Sequence, residues 1–356
     1  MPSAGSKRHA AFVVRRPHQR RRAIGACHAR LFKQSDTSIV RSPPSTARTS
    51  ATRHAACFLL GTTTDAMSTT AKHASRAKPS RAKPSRWTAR FDTRPTAPLR
   101  LFCFPYAGGS ASIFRPWVRL LPDAIDVCPV EYPGHGTRLR EDACTRLPDL
   151  VASLADALAP HLDRPHAFFG HSMGGLLGFE LARALRHRGH PGPLRLFISA
   201  VGAPQYPHIP RRHGPVYALP PQAFLETLQR LNGVPNVVLR HEELMGVVVP
   251  ILRADFELIE TYVPDVDVPL GCPIDVFGGR EDPVVDPAHL EGWREHTSGP
   301  FSLRMMAGDH FFLRSAARDE VLRHIAGAVA HDLALTVRTR LWREPAGVAV
   351  AEGVEP

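Results

Sequence analysis

From Leu99 onwards, short apolar runs alternate with longer segments in which apolar residues recur with a period of about 3.6. The short runs predict strands, and the longer periodic segments predict helices. The predicted strands are Leu99–Phe104, Ile125–Val130, Ala167–Phe169, Leu194–Ala200, Ile274–Phe277 and Ser302–Met306. The predicted helices are Leu147–Leu162, Gly174–His187 and Ser315–Thr336. This alternation predicts a doubly wound, mostly parallel sheet flanked by helices.

One stretch interrupts the alternation between about residues 205 and 263. It has no strand pattern, but it contains two helical segments, Pro221–Leu231 and His241–Tyr262. Their combined length exceeds what one crossover needs, so we expect a helical lid inserted between two strands of the sheet. The alternative is that both helices pack on the sheet as ordinary crossovers.

Positive charge is concentrated at the start of the chain. Between Met1 and Arg90 there are 19 Lys and Arg residues and only two acids, whereas the rest of the chain has 26 bases and 31 acids. The same region contains the tandem SRAKP-SRAKP and few aromatic residues, so it buries too little apolar surface to fold. We predict a disordered basic extension over residues 1–95, one folded domain over 96–337 and a tail over 338–356. A basic extension could attach to nucleic acid or a membrane, but the near-neutral remainder favours neither partner.

The six cysteines are widely spaced and form no CxxC pair. This usage predicts reduced thiols in a cytoplasmic protein and no metal site. The apolar runs Ala10–Val14 and Ala55–Gly61 are too short to span a bilayer. An organellar transit address remains an alternative, because such peptides are also rich in Arg and poor in acids.

The run FFGHSMGG places a GxSxG motif, Gly170 to Gly174, directly after a predicted strand and before a predicted helix. In this context the small residues allow a sharp turn that raises the serine hydroxyl above the sheet, as in the nucleophile elbow of α/β-hydrolases. Ser172 is therefore the predicted nucleophile. The alternative is a tight strand-to-helix turn without chemistry.

A serine hydroxyl needs an imidazole to take its proton and a carboxylate to orient the imidazole. In this fold the chain order is Ser, acid, His. Asp282, just beyond the predicted strand that ends at Phe277, is the predicted acid, and Glu281 and Asp286 are its competitors. His310, between the last predicted strand and helix, is the predicted base.

The tetrahedral intermediate carries an oxyanion, which two backbone N–H groups usually stabilise. Met173, which follows the nucleophile, is predicted to supply one of them. The other is expected from FPYAGGS, Phe104 to Ser110, with Ala107 as the first candidate and Tyr106 as the alternative. The paired glycines could also serve only the geometry of a turn.

These residues resemble the type II thioesterases of nonribosomal peptide and polyketide synthases. The resemblance rests on FCFPYAGGSASIF, GHSMGG and GDHFFL, with further likeness in EYPGHGTR and ADFELIETY. It covers about Leu99 to Ala330. It implies an α/β-hydrolase fold, a Ser172, Asp282 and His310 triad, and Ala107 and Met173 as oxyanion donors.

The resemblance also implies a substrate and a partner. Members of the family remove unproductive acyl or aminoacyl groups from the phosphopantetheine arm of acyl or peptidyl carrier proteins. We therefore expect a carrier-protein partner and no cofactor of the enzyme's own. We also expect a monomer, because the sequence shows no heptad repeat or obvious self-complementary surface. Tyr106, His171 and Phe311 are the predicted substrate contacts. The alternatives are a general carboxylesterase acting on small esters and a non-enzymatic binding protein on the same fold.

Overall fold

The fold is described from a computed structural model that covers residues 86–89, 91–209, 214–231 and 242–343, without the side chains of 242 and 337–343. The predicted basic extension up to residue 85 and the tail beyond residue 343 lie outside the described residues. The described residues all belong to one compact unit. No helix of the described segments is long and apolar enough to cross a membrane.

Six parallel strands form one sheet in the order β2-β1-β3-β4-β5-β6. They are β1 Leu99–Phe104, β2 Ile125–Pro129, β3 His166–His171, β4 Leu196–Ser199, β5 Ile274–Gly279 and β6 Phe301–Met306. All six were predicted. β3 is longer than predicted because His166 and His171 at its ends are themselves buried in the sheet.

The α-helices of the described segments include both predicted lid helices. They are α1 Trp117–Leu120, α2 Leu147–Leu158, α3 Met173–His187, α4 Pro221–Arg230, α5 Glu242–Glu260, α6 Pro287–Glu291 and α7 Ala317–Arg343. α7 continues beyond the predicted end at Thr336 and the predicted domain boundary at 337. The added residues 337–343 include three arginines and show no clear apolar period, so the sequence pattern did not indicate that the helix continues.

Helices cover both faces of the sheet. Along β1, Phe102 and Phe104 join the apolar cluster that contains residues of α2 and α3. The alternate residues Leu99, Leu101 and Cys103 join the cluster that contains residues of α1 and α7. This alternation buries both faces of the sheet, as the continuous apolar runs predict. The predicted α/β-hydrolase fold, a mostly parallel sheet flanked by helices, is confirmed.

The chain order of the strands reverses at β1, which pairs with β2 on one side and with β3 on the other. Phe104 at the end of β1 lies opposite Gly170 near the end of β3. The loops that follow these two strands therefore meet at one edge of the sheet. Ligands of open parallel sheets bind at such a switch point.

Contacts with the folded domain begin before the predicted boundary at residue 96. Thr88 forms an antiparallel bridge with Val130, and the Arg138 guanidinium lies 4.1 Å from the centroid of the Trp87 ring. The Arg94 guanidinium donates to the carbonyl oxygens of Val118, Leu121, Pro122 and Ile125. The segment from Arg86 onwards thus packs on the sheet, although its composition resembles that of the preceding extension.

Candidate active site

Ser172 sits in a strained turn between β3 and α3. Its φ of 53° and ψ of −121° place it outside the conformations that side chains ordinarily allow. The two flanking glycines make this turn possible, because a Cβ on Gly170 would collide with the Gly174 carbonyl. A Cβ on Gly174 would collide with the Phe104 carbonyl at the end of β1. The GxSxG motif therefore forms the predicted nucleophile elbow.

The structure brings the three predicted triad residues together. His310 Nε2 lies 3.0 Å from Ser172 Oγ, and His310 Nδ1 lies 2.8 Å from Asp282 Oδ2. The second oxygen of Asp282 accepts hydrogen bonds from the backbone N–H groups of Val284 and Val285. The side chains of Asp282 and His310 are 1% and 7% exposed. This geometry lets the imidazole take the serine proton while the carboxylate fixes its tautomer.

The two competitors for the acid have other roles. Glu281 Oε2 accepts a hydrogen bond from the Gly308 N–H, and Asp286 caps α6 by accepting from the Ala288 N–H. Asp282, rather than either neighbour, contacts His310.

A tight turn follows β1 at the edge of the same site. The Gly109 N–H donates to the Tyr106 carbonyl at 2.8 Å, and Gly108 has a φ of +73°. Ala107, in the middle of this turn, lines the cavity beside Ser172 together with Met173, the first residue of α3. Both predicted oxyanion donors thus border the nucleophile. We call residues 106–109 the oxyanion turn.

The triad opens into a small apolar cavity of about 60 Å³ between the sheet and the lid helices. Lid residues from both α4 and α5 contribute to its wall, including Leu228, Leu252 and Phe256. Its lining is otherwise almost entirely apolar, so an acyl chain is a better fit than a charged group.

Two of the three predicted substrate contacts line this cavity. Tyr106 and Phe311 lie in its wall, with their ring centroids 5.2 Å apart. His171 does not line it: its ring is fully buried behind the wall, and Nδ1 lies 2.8 Å from Ser199 Oγ. Burial, reinforced by the neighbouring His310, lowers the pKa of His171 well below its usual value. The structure therefore places His171 behind the cavity wall as a neutral side chain, and its predicted contact with substrate stays a prediction.

His208, a cavity residue that the sequence did not single out, lies just before the lid helices. Neither of its ring nitrogens has a hydrogen-bond partner within the described residues, and burial lowers its pKa to about 4. No motif marks it among the 19 histidines of the chain. Among the described residues, no group of three or more His, Cys, Asp or Glu side chains could hold a metal ion.

A serine, imidazole and carboxylate relay on a strained elbow, at the switch point of a parallel sheet with a helical lid, defines a serine hydrolase of the α/β-hydrolase fold. The chain belongs, more narrowly, to the thioesterase domain family, which it matches over residues 99–329. It is a thioesterase, as the sequence predicted.

Individual relatives agree with this assignment. The chain is 42% identical over 228 residues to the gramicidin S biosynthesis protein GrsT of Aneurinibacillus migulanus, a match that covers 64% of this chain and 88% of that protein. It is 44% identical over 233 residues to a protein named linear gramicidin dehydrogenase LgrE of Brevibacillus parabrevis, covering 65% of this chain and 88% of that one.

A solved structure with a similar fold is that of BorB, a type II thioesterase from the borrelidin biosynthetic cluster. The TM-score is 0.60 at 36% sequence identity, and the match covers 69% of this chain and 97% of that one.

Proposed function

We propose that this thioesterase hydrolyses acyl or aminoacyl groups from the phosphopantetheine arm of acyl or peptidyl carrier proteins. It would thereby clear blocked arms during nonribosomal peptide or polyketide synthesis. The observation that carries the proposal is the Ser172, His310 and Asp282 relay at the wall of a small apolar cavity. Such a cavity accepts a short acyl group, and the relay supplies the nucleophile for its thioester.

The chemistry proceeds in two halves. Ser172 Oγ attacks the thioester carbonyl while its proton passes to His310 Nε2, and Asp282 stabilises the resulting imidazolium. The C–S bond then breaks, and the arm leaves as a thiol with the proton from His310. In the second half His310 takes a proton from water, which attacks the acyl-serine. The ester bond breaks, and Ser172 regains its proton as the acid leaves.

The oxyanion formed in each half needs donors that are already in place. The Ala107 and Met173 N–H groups are the proposed donors, because both residues line the cavity at the nucleophile. Preorganised backbone donors lower the barrier because they need no reorientation as charge develops.

The relatives support this substrate class rather than an unrelated ester. GrsT is named for gramicidin S biosynthesis, and BorB is a type II thioesterase of a biosynthetic cluster. The dehydrogenase name of LgrE points to hydride transfer, in which the serine relay of this chain would have no evident part. Hydrolysis is therefore the activity proposed here.

The proposal includes a carrier-protein partner, a monomeric enzyme in the cytoplasm and no resident cofactor or metal. The phosphopantetheine belongs to the substrate.

The decisive experiment is release of acetate from an acetyl-phosphopantetheinyl carrier protein, compared with acetyl-pantetheine at equal concentration. Ser172→Ala is the test variant. Ser153→Ala is its matched control, because that hydroxyl bonds only within α2, to the Asp149 carbonyl. Parallel reactions contain a chelator, or NADPH monitored by its absorbance.

We expect hydrolysis that requires Ser172, prefers the carrier-bound acetyl group, survives the chelator and consumes no NADPH. Turnover of free esters or thioesters without carrier preference would assign the protein to the general carboxylesterases. Absence of any turnover would favour a binding protein, and loss of NADPH would favour the dehydrogenase.

A further inference from the structure

The oxyanion turn depends on a contact from outside its own loop. Gly108 has a positive φ, and the hydrogen bond that closes the turn joins Gly109 to Tyr106. A turn of this form leaves the N–H of its third residue, Gly108, without a partner inside the turn. Gly108 itself is exposed, so an acceptor from another element would hold this N–H in place of water.

The lid supplies that acceptor. Asp255 Oδ2 on α5 accepts the Gly108 N–H at 2.6 Å, across 147 positions of sequence. One helical turn earlier, Leu252 packs over the same glycine so closely that a Cβ on Gly108 would lie 2.6 Å from Leu252 Cδ2. Two side chains of one lid face therefore hold the oxyanion turn, one through its N–H and one through its Cα.

A buried histidine holds the same carboxylate oxygen from the other side. His135, in the loop after β2, has Nε2 2.9 Å from Asp255 Oδ2 and Nδ1 2.9 Å from the Pro133 carbonyl oxygen. Both side chains are 3% exposed. Only the doubly protonated imidazolium can donate hydrogen bonds to both oxygens. The contact is therefore a buried ion pair between the lid and the domain.

Other polar groups around the pair belong to the same loops. The Tyr132 ring meets the His135 ring edge-on, with centroids 5.6 Å apart. The buried Glu131 carboxylate accepts from the N–H groups of Ala111 and Thr137. Glu131 thus holds the loop after β1 at Ala111, and Asp255 holds the same loop at Gly108.

We propose that Asp255 is a positioning residue for hydrolysis, which holds the Gly108 N–H from the docked lid and so aims the Ala107 N–H at the oxyanion. The inference rests on the proposed function, because it assigns a supporting residue to that same site. His135 keeps the Asp255 carboxylate oriented towards the Gly108 N–H. A lid that withdrew Asp255 would leave the triad intact but the oxyanion turn unsupported.

The test compares three substitutions on one helix. Asp255→Ala removes the acceptor, and Asp255→Asn keeps an amide oxygen that can accept the Gly108 N–H without the charge. Glu257→Ala, two residues further along α5, is the matched control, because within the described residues Glu257 accepts from Thr261 Oγ1 through its carbonyl and forms no hydrogen bond to the oxyanion turn. Each variant is assayed with acetyl-pantetheine for kcat and KM, and with an alkylboronic acid for affinity.

A boronic acid forms a tetrahedral anion on Ser172 and so reports on the oxyanion site directly. Loss of one oxyanion donor costs about 10²- to 10³-fold in kcat, and a misplaced donor costs less. We expect Asp255→Ala to lower kcat by about 10- to 100-fold, with KM changed by no more than about twofold. Boronate affinity should fall in parallel. Asp255→Asn should retain more of both, and Glu257→Ala should match the wild type.

Unchanged kcat and boronate affinity in Asp255→Ala would overturn the proposal. So would a loss in kcat with wild-type boronate affinity, since that would place the defect elsewhere. If Asp255→Ala does not fold, Asp255→Asn and His135→Gln provide the same comparison. Failure of the proposed function appears instead as an inactive wild type towards thioesters, and the boronate titration of the variants remains decisive in that case.

Discussion

Both carboxylate oxygens of Asp282 form hydrogen bonds, and these contacts explain why Asp282, rather than Glu281 or Asp286, is the acid of the triad. One oxygen contacts His310 and the other accepts two backbone N–H groups, while its side chain is almost fully buried. Asp282→Asn keeps the volume and the backbone contacts, but its amide N–H₂ can face His310 Nδ1 and favour the wrong tautomer. We expect kcat to fall by about 10⁴-fold with little change in melting temperature, measured by acetyl-pantetheine hydrolysis and calorimetry.

Asp286→Ala is the control for that substitution. It removes the cap of α6, so the free energy of unfolding should fall by about 1 kcal/mol while kcat stays at the wild-type value. A large loss of kcat in Asp286→Ala, with a mild effect in Asp282→Asn, would reverse the assignment of the acid.

The pair of His135 and Asp255 makes a pH-dependent contribution to stability. Burial alone would lower the pKa of His135, but the Asp255 carboxylate, with hydrogen bonds to Asp255 and the Pro133 carbonyl, raises it overall. A pKa raised by folding stabilises the protein fully below the unfolded value of about 6.5. That contribution is lost as the pH rises through the folded-state pKa.

We therefore expect the stability difference between wild type and His135→Gln to be largest at about pH 6 and to shrink at higher pH. Urea unfolding at several pH values measures it, with the exposed His331→Gln as the control. A difference that stays constant across the titration would show that folding leaves the pKa of His135 unchanged, and a difference that grows with pH would show that the folded protein holds His135 neutral.

The nucleophile elbow is fixed by close packing between two elements, β1 and the start of α3. A Cβ on Gly174 would collide with the carbonyl oxygens of Phe104 and Pro105. These are backbone atoms, which cannot move aside as the end of a flexible side chain can. We expect Gly174→Ala to reduce hydrolysis by at least about 100-fold and to lower the free energy of unfolding by about 2 kcal/mol or more. Enzyme assays and urea unfolding provide the two measurements.

Gly327→Ala is the matched control, because a Cβ there meets nothing within 4 Å on the exposed face of α7. That substitution should stabilise the protein by about 0.5 to 1 kcal/mol, because alanine loses less conformational entropy than glycine when the helix forms. If both substitutions had the same small effect, steric exclusion at the elbow would not be the reason for its glycine.

The elements and the triad could be predicted because their signals are local. Apolar runs marked the six strands, and the motif around Ser172 marked the elbow and ordered the search for its partners. The contact between Asp255 and Gly108 had no such signal, since it joins a lid helix to a loop 147 positions away. His208 and the buried position of His171 were likewise set by tertiary packing, which periodicity does not encode.

At the scale of the whole molecule, the cavity is formed jointly by the sheet and the lid, so its volume should set the acyl preference. Leu228 on α4 lines the cavity and is 1% exposed. Leu228→Ala should raise kcat/KM for hexanoyl- relative to acetyl-pantetheine by about tenfold, because one added methylene contact is worth about 1 kcal/mol or more. It should also lower the free energy of unfolding by about 2 to 5 kcal/mol.

Leu154→Ala is the control for lost stability alone. Leu154 is fully buried on α2 and does not line the cavity. Leu154→Ala should lower the free energy of unfolding by about as much as Leu228→Ala does, and it should leave the ratio of hexanoyl to acetyl turnover unchanged. A change of the same size in both variants would mean that the acyl preference follows general loosening rather than cavity volume.

The N-terminal boundary of the working enzyme can be located by two truncations that differ by only a short segment. A chain that begins at Arg86 keeps the Trp87 contact with Arg138, the bridge between Thr88 and Val130, and the Arg94 hydrogen bonds. A chain that begins at residue 96, the boundary expected from composition, loses all of them. The match to the thioesterase domain family begins at residue 99.

We therefore expect the chain from Arg86 to retain the melting temperature and the kcat of the full chain. The chain from residue 96 should lose about 2 to 4 kcal/mol of unfolding free energy, because it gives up a cation–π contact and a cluster of partly buried hydrogen bonds. Urea unfolding and acetyl-carrier hydrolysis of the three chains make the comparison. Equal stability of all three would remove the segment from the domain, whereas a defect already present in the chain from Arg86 would assign a role to the basic extension itself.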